Sequence, residues 1–262
     1  MGETLNSFTN RLRLEKAARF LRHSGRSATE VALECGFSSS ATFSRAFSKA
    51  YNISPREYRK TGKFKNSKIC KELFPKHEYV LPMTEKEKEA AFPIEIKKFP
   101  PWDVAYIRVS NSFEGDGVLQ AFRKIIAWAK SQKVYEKGTL FGMSIDDPSI
   151  TPKHLYRYEA CFASDGPIER TEDISKTKIP SRTYATVRIR GDIRRVATAW
   201  DYLSGGWLIR SDYEPEHAPG FEIFLNKEEA EMGLAETATT LSLDWTKCEF
   251  DLCLPIKPIN RN

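Results

Sequence analysis

No stretch of this 262-residue chain approaches the ~18 consecutive apolar residues that a membrane-crossing helix needs. No charged-then-apolar leader opens it, and Met1-Gly2 is not followed by the Ser or Thr of a myristoylation signal. A soluble, cytoplasmic protein without a membrane partner is expected. Cysteine is sparse and odd in number: Cys35, Cys70, Cys161, Cys248 and Cys253, with no Cys-x-x-Cys. That excludes a disulfide framework and a zinc-ribbon spacing and makes free thiols in a reducing compartment the simplest account. His23, His77, His154 and His217 are scattered, so no metal is expected. There is no P-loop, no G-x-G-x-x-G and no H-E-x-x-H. Gly142-Met143-Ser144-Ile145-Asp146 lacks the second glycine of a nucleophile elbow. Asp146-Asp147 precedes Pro148 and reads as a turn. Neither an enzyme nor a cofactor is written in motifs.

What is present is unevenly distributed charge. The formal charge is +6, yet residues 1–72 hold 15 Lys/Arg against 6 Asp/Glu, leaving 26 against 29 for the remainder. A basic short segment ahead of a mildly acidic long one suggests a module for a polyanion joined to something else. Within the basic segment the apolar residues recur with helical period. Leu14, Ala17, Ala18 and Leu21 form one stripe, on a helix that Asn6 or Ser7 can cap. Ala28, Val31, Ala32 and Cys35 form a second, and Phe43, Ala46, Phe47 and Ala50 a third. Ser27-Ala28-Thr29-Glu30 is a capping box. Gly36 separates the second and third helices, and Ser54-Pro55 restarts the chain as cap and first helical residue.

Arg11-Leu12-Arg13-Leu14-Glu15-Lys16-Ala17, Val31-Ala32-Leu33-Glu34-Cys35-Gly36-Phe37, Thr42-Phe43-Ser44-Arg45-Ala46-Phe47 and Ser54-Pro55-Arg56-Glu57-Tyr58-Arg59 resemble the AraC/XylS family of transcription regulators. The resemblance covers the connecting helix and the second helix-turn-helix (HTH). The family carries two HTH units, and the chain is expected to lack the first. Residues 1–62 are therefore expected to bind double-stranded DNA, with a homodimer restoring the lost phosphate contacts. The resemblance places Ser40, Ala41, Ser44 and Arg45 toward base edges or adjacent phosphates and Thr42 at the backbone; Arg56 and Arg59 would add phosphate contacts, with Lys16 or Arg19 in support. For each single basic residue, a solvated surface role stands beside DNA contact.

Residues 63–91 read as a linker, polar and basic at one end and alternating in charge over Glu85–Glu89. Beyond it the period becomes mixed. Strand-like runs at 92–99, 102–109, 139–145, 155–163, 182–189, 219–225 and 248–257 are interrupted by helical patterns at 116–132 and 193–204. The scheme repeats after about 85 residues as two β-α-β-β halves, which would leave a cleft at their junction. Tyr106-Ile107-Arg108-Val109, Gly142, Tyr156-Arg157-Tyr158-Glu159-Ala160-Cys161 and Pro219-Gly220-Phe221-Glu222-Ile223-Phe224-Leu225-Asn226 resemble the GyrI-like effector-binding domain, over residues 92–258. The expected fold class is α+β: a small helical HTH domain, then a duplicated β-α-β-β domain with an antiparallel sheet and a central ligand cleft. The resemblance implies a small, cationic or amphipathic organic effector, with Glu222 as its counter-charge. Tyr106, Tyr158, Trp200 and Phe224 are the candidate aromatic walls. The plain alternatives are that Glu222 pairs with Arg188 or Arg190 and that each aromatic is core. A second function stays open: a small-molecule binding, sequestering or hydrolysing protein with a non-functional HTH remnant. A third is a domain that binds another protein.

Overall fold

The computed structural model describes residues 4–61, 80–112, 116–146, 150–191, 193–236 and 249–259. Cys70, Cys248, His77 and most of the expected linker lie outside them. The chain divides into two compact units. One is Met1–Phe74 with Asp147–Lys153; the other is Pro75–Asp146 with His154–Asn262.

The first unit is helical. Helix α1 (Leu5–His23) starts earlier than its sequence suggested. Thr4, not Asn6 or Ser7, supplies the cap, its hydroxyl accepting from the Ser7 amide at 3.2 Å. Helix α2 (Ala28–Glu34) has the expected box: the Ser27 amide donates to Glu30 at 2.6 Å, and the Glu30 amide to the Ser27 hydroxyl at 3.2 Å. Helix α3 (Ser40–Tyr51) is capped by Ser39, which accepts from the Thr42 amide at 3.1 Å. It ends on Asn52, which takes the left-handed conformation at φ 54°. Helix α4 (Pro55–Thr61) has Ser54 accepting from the Glu57 amide. The apolar stripes converge on one core, in which Phe43 and Phe47 are fully buried, and Ile150 completes it. Phe47 touches three rings, with centroids of Phe43, Tyr51 and Tyr58 at 5.5, 4.8 and 5.5 Å.

The first described helix of the second unit is α5 (Glu85–Ala91), started by a Thr84/Glu87 capping box inside the mixed-charge run. A sheet follows: β1 (Ile94–Phe99), β2 (Trp102–Ser110), β3 (Thr139–Ser144), β4 (Arg157–Ala163), β5 (Ser175–Ile179), β6 (Arg182–Arg190), β7 (Tyr213–Pro215), β8 (Gly220–Phe224) and β9 (Glu249–Pro258). Helices α6 (Gly117–Ser131), α7 (Ile193–Asp201) and α8 (Lys227–Glu236) connect its parts. Every pairing is antiparallel, in the order β1-β6-β9-β8-β3-β4-β2-β5, with β7 on β9. The order is symmetric about its middle. Inside the end strands β1 and β5, one side reads β6, β9, β8 toward the middle and the other β2, β4, β3. The halves β2-α6-β3-β4 and β6-α7-β8-β9 thus meet at the β3–β8 pair, where Gly142 faces Glu222.

Strands β5 and β7 and helix α8 were not foreseen. β5 reads Ser175-Lys176-Thr177-Lys178-Ile179, an exposed edge strand with no apolar alternation to betray it. The sheet has two different faces. One packs against α6 and α7 through Phe122, Ile126, Leu140, Phe162, Phe224 and Leu252. The other curls inward, so that Phe99, at the end of β1, meets Trp102, at the start of β2, with centroids 5.3 Å apart.

Candidate functional site

The first candidate surface is α3. Its inward residues are fixed by the aromatic core, which leaves Ala41, Thr42, Arg45 and Lys49 exposed and Ser40, Ser44 and Ser48 half-buried. The Thr42 hydroxyl lies 3.0 Å from that of Ser39, so it serves the helix start. On α4, Arg56 is exposed and Arg59 half-buried. Lys16 is engaged inside the unit: its ammonium donates to the Glu34 carbonyl at 2.9 Å, closing the C-terminal end of α2.

The second lies at the centre of the sheet, on its helix-covered face. Side chains alternate along β8, so Glu222 points to the side opposite Phe221 and Ile223. Two donors hold its carboxylate. Tyr158 on β4 donates from its hydroxyl to Oε2 at 2.6 Å, and Trp200 on α7 from its indole N–H to Oε1 at 2.9 Å. Two glycines make this convergence fit. A Cβ on Gly142 would sit 1.6 Å from the Tyr158 hydroxyl oxygen, and one on Gly220 would sit 2.8 Å from the Trp200 ring. Tyr158 therefore reaches across β3 only because β3 has no side chain there. Sequence reasoning used both glycines for the resemblance and not for the site. A glycine interrupting an alternating strand was the available signal.

Burial pushes the Glu222 carboxyl above its ordinary range, against the two hydrogen bonds that favour its ionised form. Burial, with the adjacent carboxylate, raises the Tyr158 phenol well above its usual value, so it stays a donor. Arg188 and Arg190, the alternative partners for Glu222, are committed elsewhere. Arg188 donates to Asp251 at 2.9 Å and Arg190 to Glu249 at 3.1 Å. Glu159 points the other way along β4, is buried, and takes Arg108 at 2.7 Å.

Of the five candidate ligand residues, Glu222, Tyr158 and Trp200 are brought together. Phe224 is on the same face but packs in the core, 5.2 Å from Phe122 and 4.9 Å from Phe250. Tyr106 is on the opposite face, in register with Cys161, three residues from Tyr158. Among the described residues no cluster of His, Cys, Asp or Glu could hold a metal, and no helix is long and apolar enough to cross a membrane.

Substituting Ala for Gly142 is expected to destabilise the protein by about 1–3 kcal/mol, because the new methyl must displace the Tyr158 ring. In a Tyr158→Ala background the same substitution should cost close to nothing. Thermal melts of the four proteins of this cycle measure it, and equal costs in both backgrounds would show that Tyr158 is not what Gly142 accommodates.

Residues 92–240 match the family model described as the GyrI-like small molecule binding domain, and residues 1–61 match a helix-turn-helix domain. The HTH-type transcriptional activator RhaS of Escherichia coli O139:H28 is 50% identical over 58 residues, covering 22% of this chain and 21% of that activator. RhaS of Salmonella arizonae gives the same figures. The chain thus spans about a fifth of the length of these curated relatives. Among solved structures, EcmrR in complex with DNA aligns with a TM-score of 0.49 at 17% identity, over 67% of this chain and 61% of that one. The EcmrR C-terminal domain aligns with a TM-score of 0.47 at 16% identity, over 64% and 99%.

Proposed function

The chain belongs to the family of GyrI-like small molecule binding domains and carries an AraC-type helix-turn-helix ahead of that domain, and from this we propose a DNA-binding transcription regulator whose second domain binds a small cationic or amphipathic organic effector. It works in the cytoplasm, as a homodimer that presents two recognition helices to double-stranded DNA. The observation that carries the effector reading is Glu222. Its carboxylate sits among rings, held by two neutral donors, and no Lys or Arg pairs with it among the described residues. A half-buried carboxylate that lacks a counter-charge among the described residues is costly. An organic cation relieves that cost, and its body stacks on Tyr158 and Trp200. The effector acts through different affinities for two states of the protein.

The test is fluorescence polarisation of a labelled promoter duplex, titrated with salt, with and without lipophilic cations. A steep salt dependence that one cation shifts supports the reading. Loss of all DNA binding at low salt rejects its DNA half. On α3, Arg45 is assigned to phosphate. Arg45→Ala should weaken binding to unrelated duplexes alike and reduce the slope of log K against log salt by about 1. An affinity loss confined to one sequence would reassign Arg45 to a base.

A second reading rests on the 2.6 Å contact between Tyr158 and Glu222. A raised carboxyl beside a phenol is the arrangement of a general base that activates water. Turnover of ester or amide substrates that disappears in Glu222→Gln would favour this hydrolytic alternative.

A further inference from the structure

The curled face of the sheet, opposite Glu222, holds a cleft of about 230 Å³. Its floor is apolar and aromatic, from Tyr106, Met143, Tyr184 and Phe221. Its charged lining is unbalanced: Arg108, Lys178 and Arg182 against the single carboxylate of Glu159. Glu159 is buried and fixes Arg108 through the Nε–H at 2.7 Å and a second bond from Nη2. A guanidinium has five N–H donors, so Arg108, half-exposed and lying over the Tyr106 ring at 5.6 Å, keeps donors for a further acceptor. Arg182 gives one bond to Glu216. Lys178 is largely exposed, and its ammonium is 3.8 Å from the nearest Asp103 oxygen.

We propose that this cleft is a second ligand site, distinct from the one at Glu222, and that it takes a small organic anion: a carboxylate held at the Arg108–Lys178–Arg182 rim with its ring on the aromatic floor. The two faces then select opposite charges. Glu222 offers a carboxylate with neutral donors, whereas here the one lining carboxylate is neutralised by Arg108, and Arg182 and Lys178, each beside a carboxylate outside the lining (Glu216 and Asp103), turn N–H donors to the cleft. Charge-assisted bonds from Arg to a carboxylate are the stronger kind. The volume lies below the ~300–1,000 Å³ of drug-sized pockets, which suits a one- or two-ring body.

The test is isothermal titration of the full chain with 2-naphthoate, with 2-naphthamide as its uncharged counterpart. The acid should bind at least about tenfold more tightly than the amide. Removing Arg108 alone would strand the buried Glu159, so the paired change Arg108→Gln with Glu159→Gln is used, and separately Lys178→Gln at the exposed rim. Both should weaken the acid and leave the amide unchanged, the pair by about tenfold. Glu222→Gln should leave the acid's affinity as it was. Equal affinity for acid and amide, no binding at millimolar acid, or binding lost in Glu222→Gln yet kept in both rim variants would overturn the proposal. The last result would place the probe on the other face. Failure here leaves the cation reading of Glu222 intact, because the two sites share no residue.

Discussion

Glu222→Gln is expected to weaken binding of an aromatic quaternary ammonium ion such as benzyltrimethylammonium by about 30-fold or more. Removing one partner of a desolvated charge pair costs about 2–5 kcal/mol, and each 1.4 kcal/mol is about tenfold. The glutamine keeps the shape and can still accept from Tyr158 or Trp200, so the loss reports charge and not a collapsed site. Quenching of tryptophan fluorescence measures it directly, since Trp200 donates to the carboxylate. Affinity in the parent protein should climb with pH and level off once Glu222 is ionised, with a midpoint above the ordinary carboxylate range. Stability of the unliganded protein should run the other way. The folded state holds this proton more tightly than the unfolded chain does. Its contribution is therefore full at low pH and is lost as pH rises through the raised value. Glu222→Gln should flatten both slopes. Unaltered affinity and unaltered pH dependence in that variant would remove the glutamate from the site.

The second large effect is expected in the helical unit. Phe47→Ala should cost about 3–5 kcal/mol, because a fully buried ring with three aromatic neighbours leaves a cavity that a short-helix core cannot collapse around. A core of this size rarely supplies more than about 3–5 kcal/mol in total. The variant should thus lose duplex binding at low salt while still binding the cation at Glu222. Calorimetry, polarisation and fluorescence quenching on one preparation separate the two. Phe47→Leu, which restores most of the volume, should recover DNA binding. A Phe47→Ala protein that still binds duplex would mean that α3 does not carry the DNA surface.

The helical unit was legible because its signals are local. The capping box at Ser27 and Glu30, the cap and proline at Ser54-Pro55 and the three stripes each act within one or two turns of chain. Even there the start of α1 was misplaced, since Thr4, Asn6 and Ser7 are all competent caps and only geometry chooses among them. In the sheet, strands with alternating apolar residues were visible. β5, with its lysines, and the three-residue β7 were not, because their reason to be strands is the partner strand and not their own composition.

By itself the sequence determined the two-part composition, the helical caps and stripes, the repeated β-α-β-β order and the presence of a lone glutamate among apolar neighbours on β8. Those follow from period, cap chemistry and charge, which act between residues close in the chain. Which residues share a site was decided only by the tertiary structure. Tyr106 and Tyr158 are both tyrosines on neighbouring inner strands, yet register puts Tyr106 opposite Cys161 and so on the other face from Tyr158. Strand register has a period of two, so a shift of a single residue exchanges the faces. No local signal in β2 or β4 records which register the sheet adopts. The meeting of Tyr158, Trp200 and Glu222 depends on that register, on the empty positions at Gly142 and Gly220, and on α7 bringing the Trp200 indole to the β8 carboxylate.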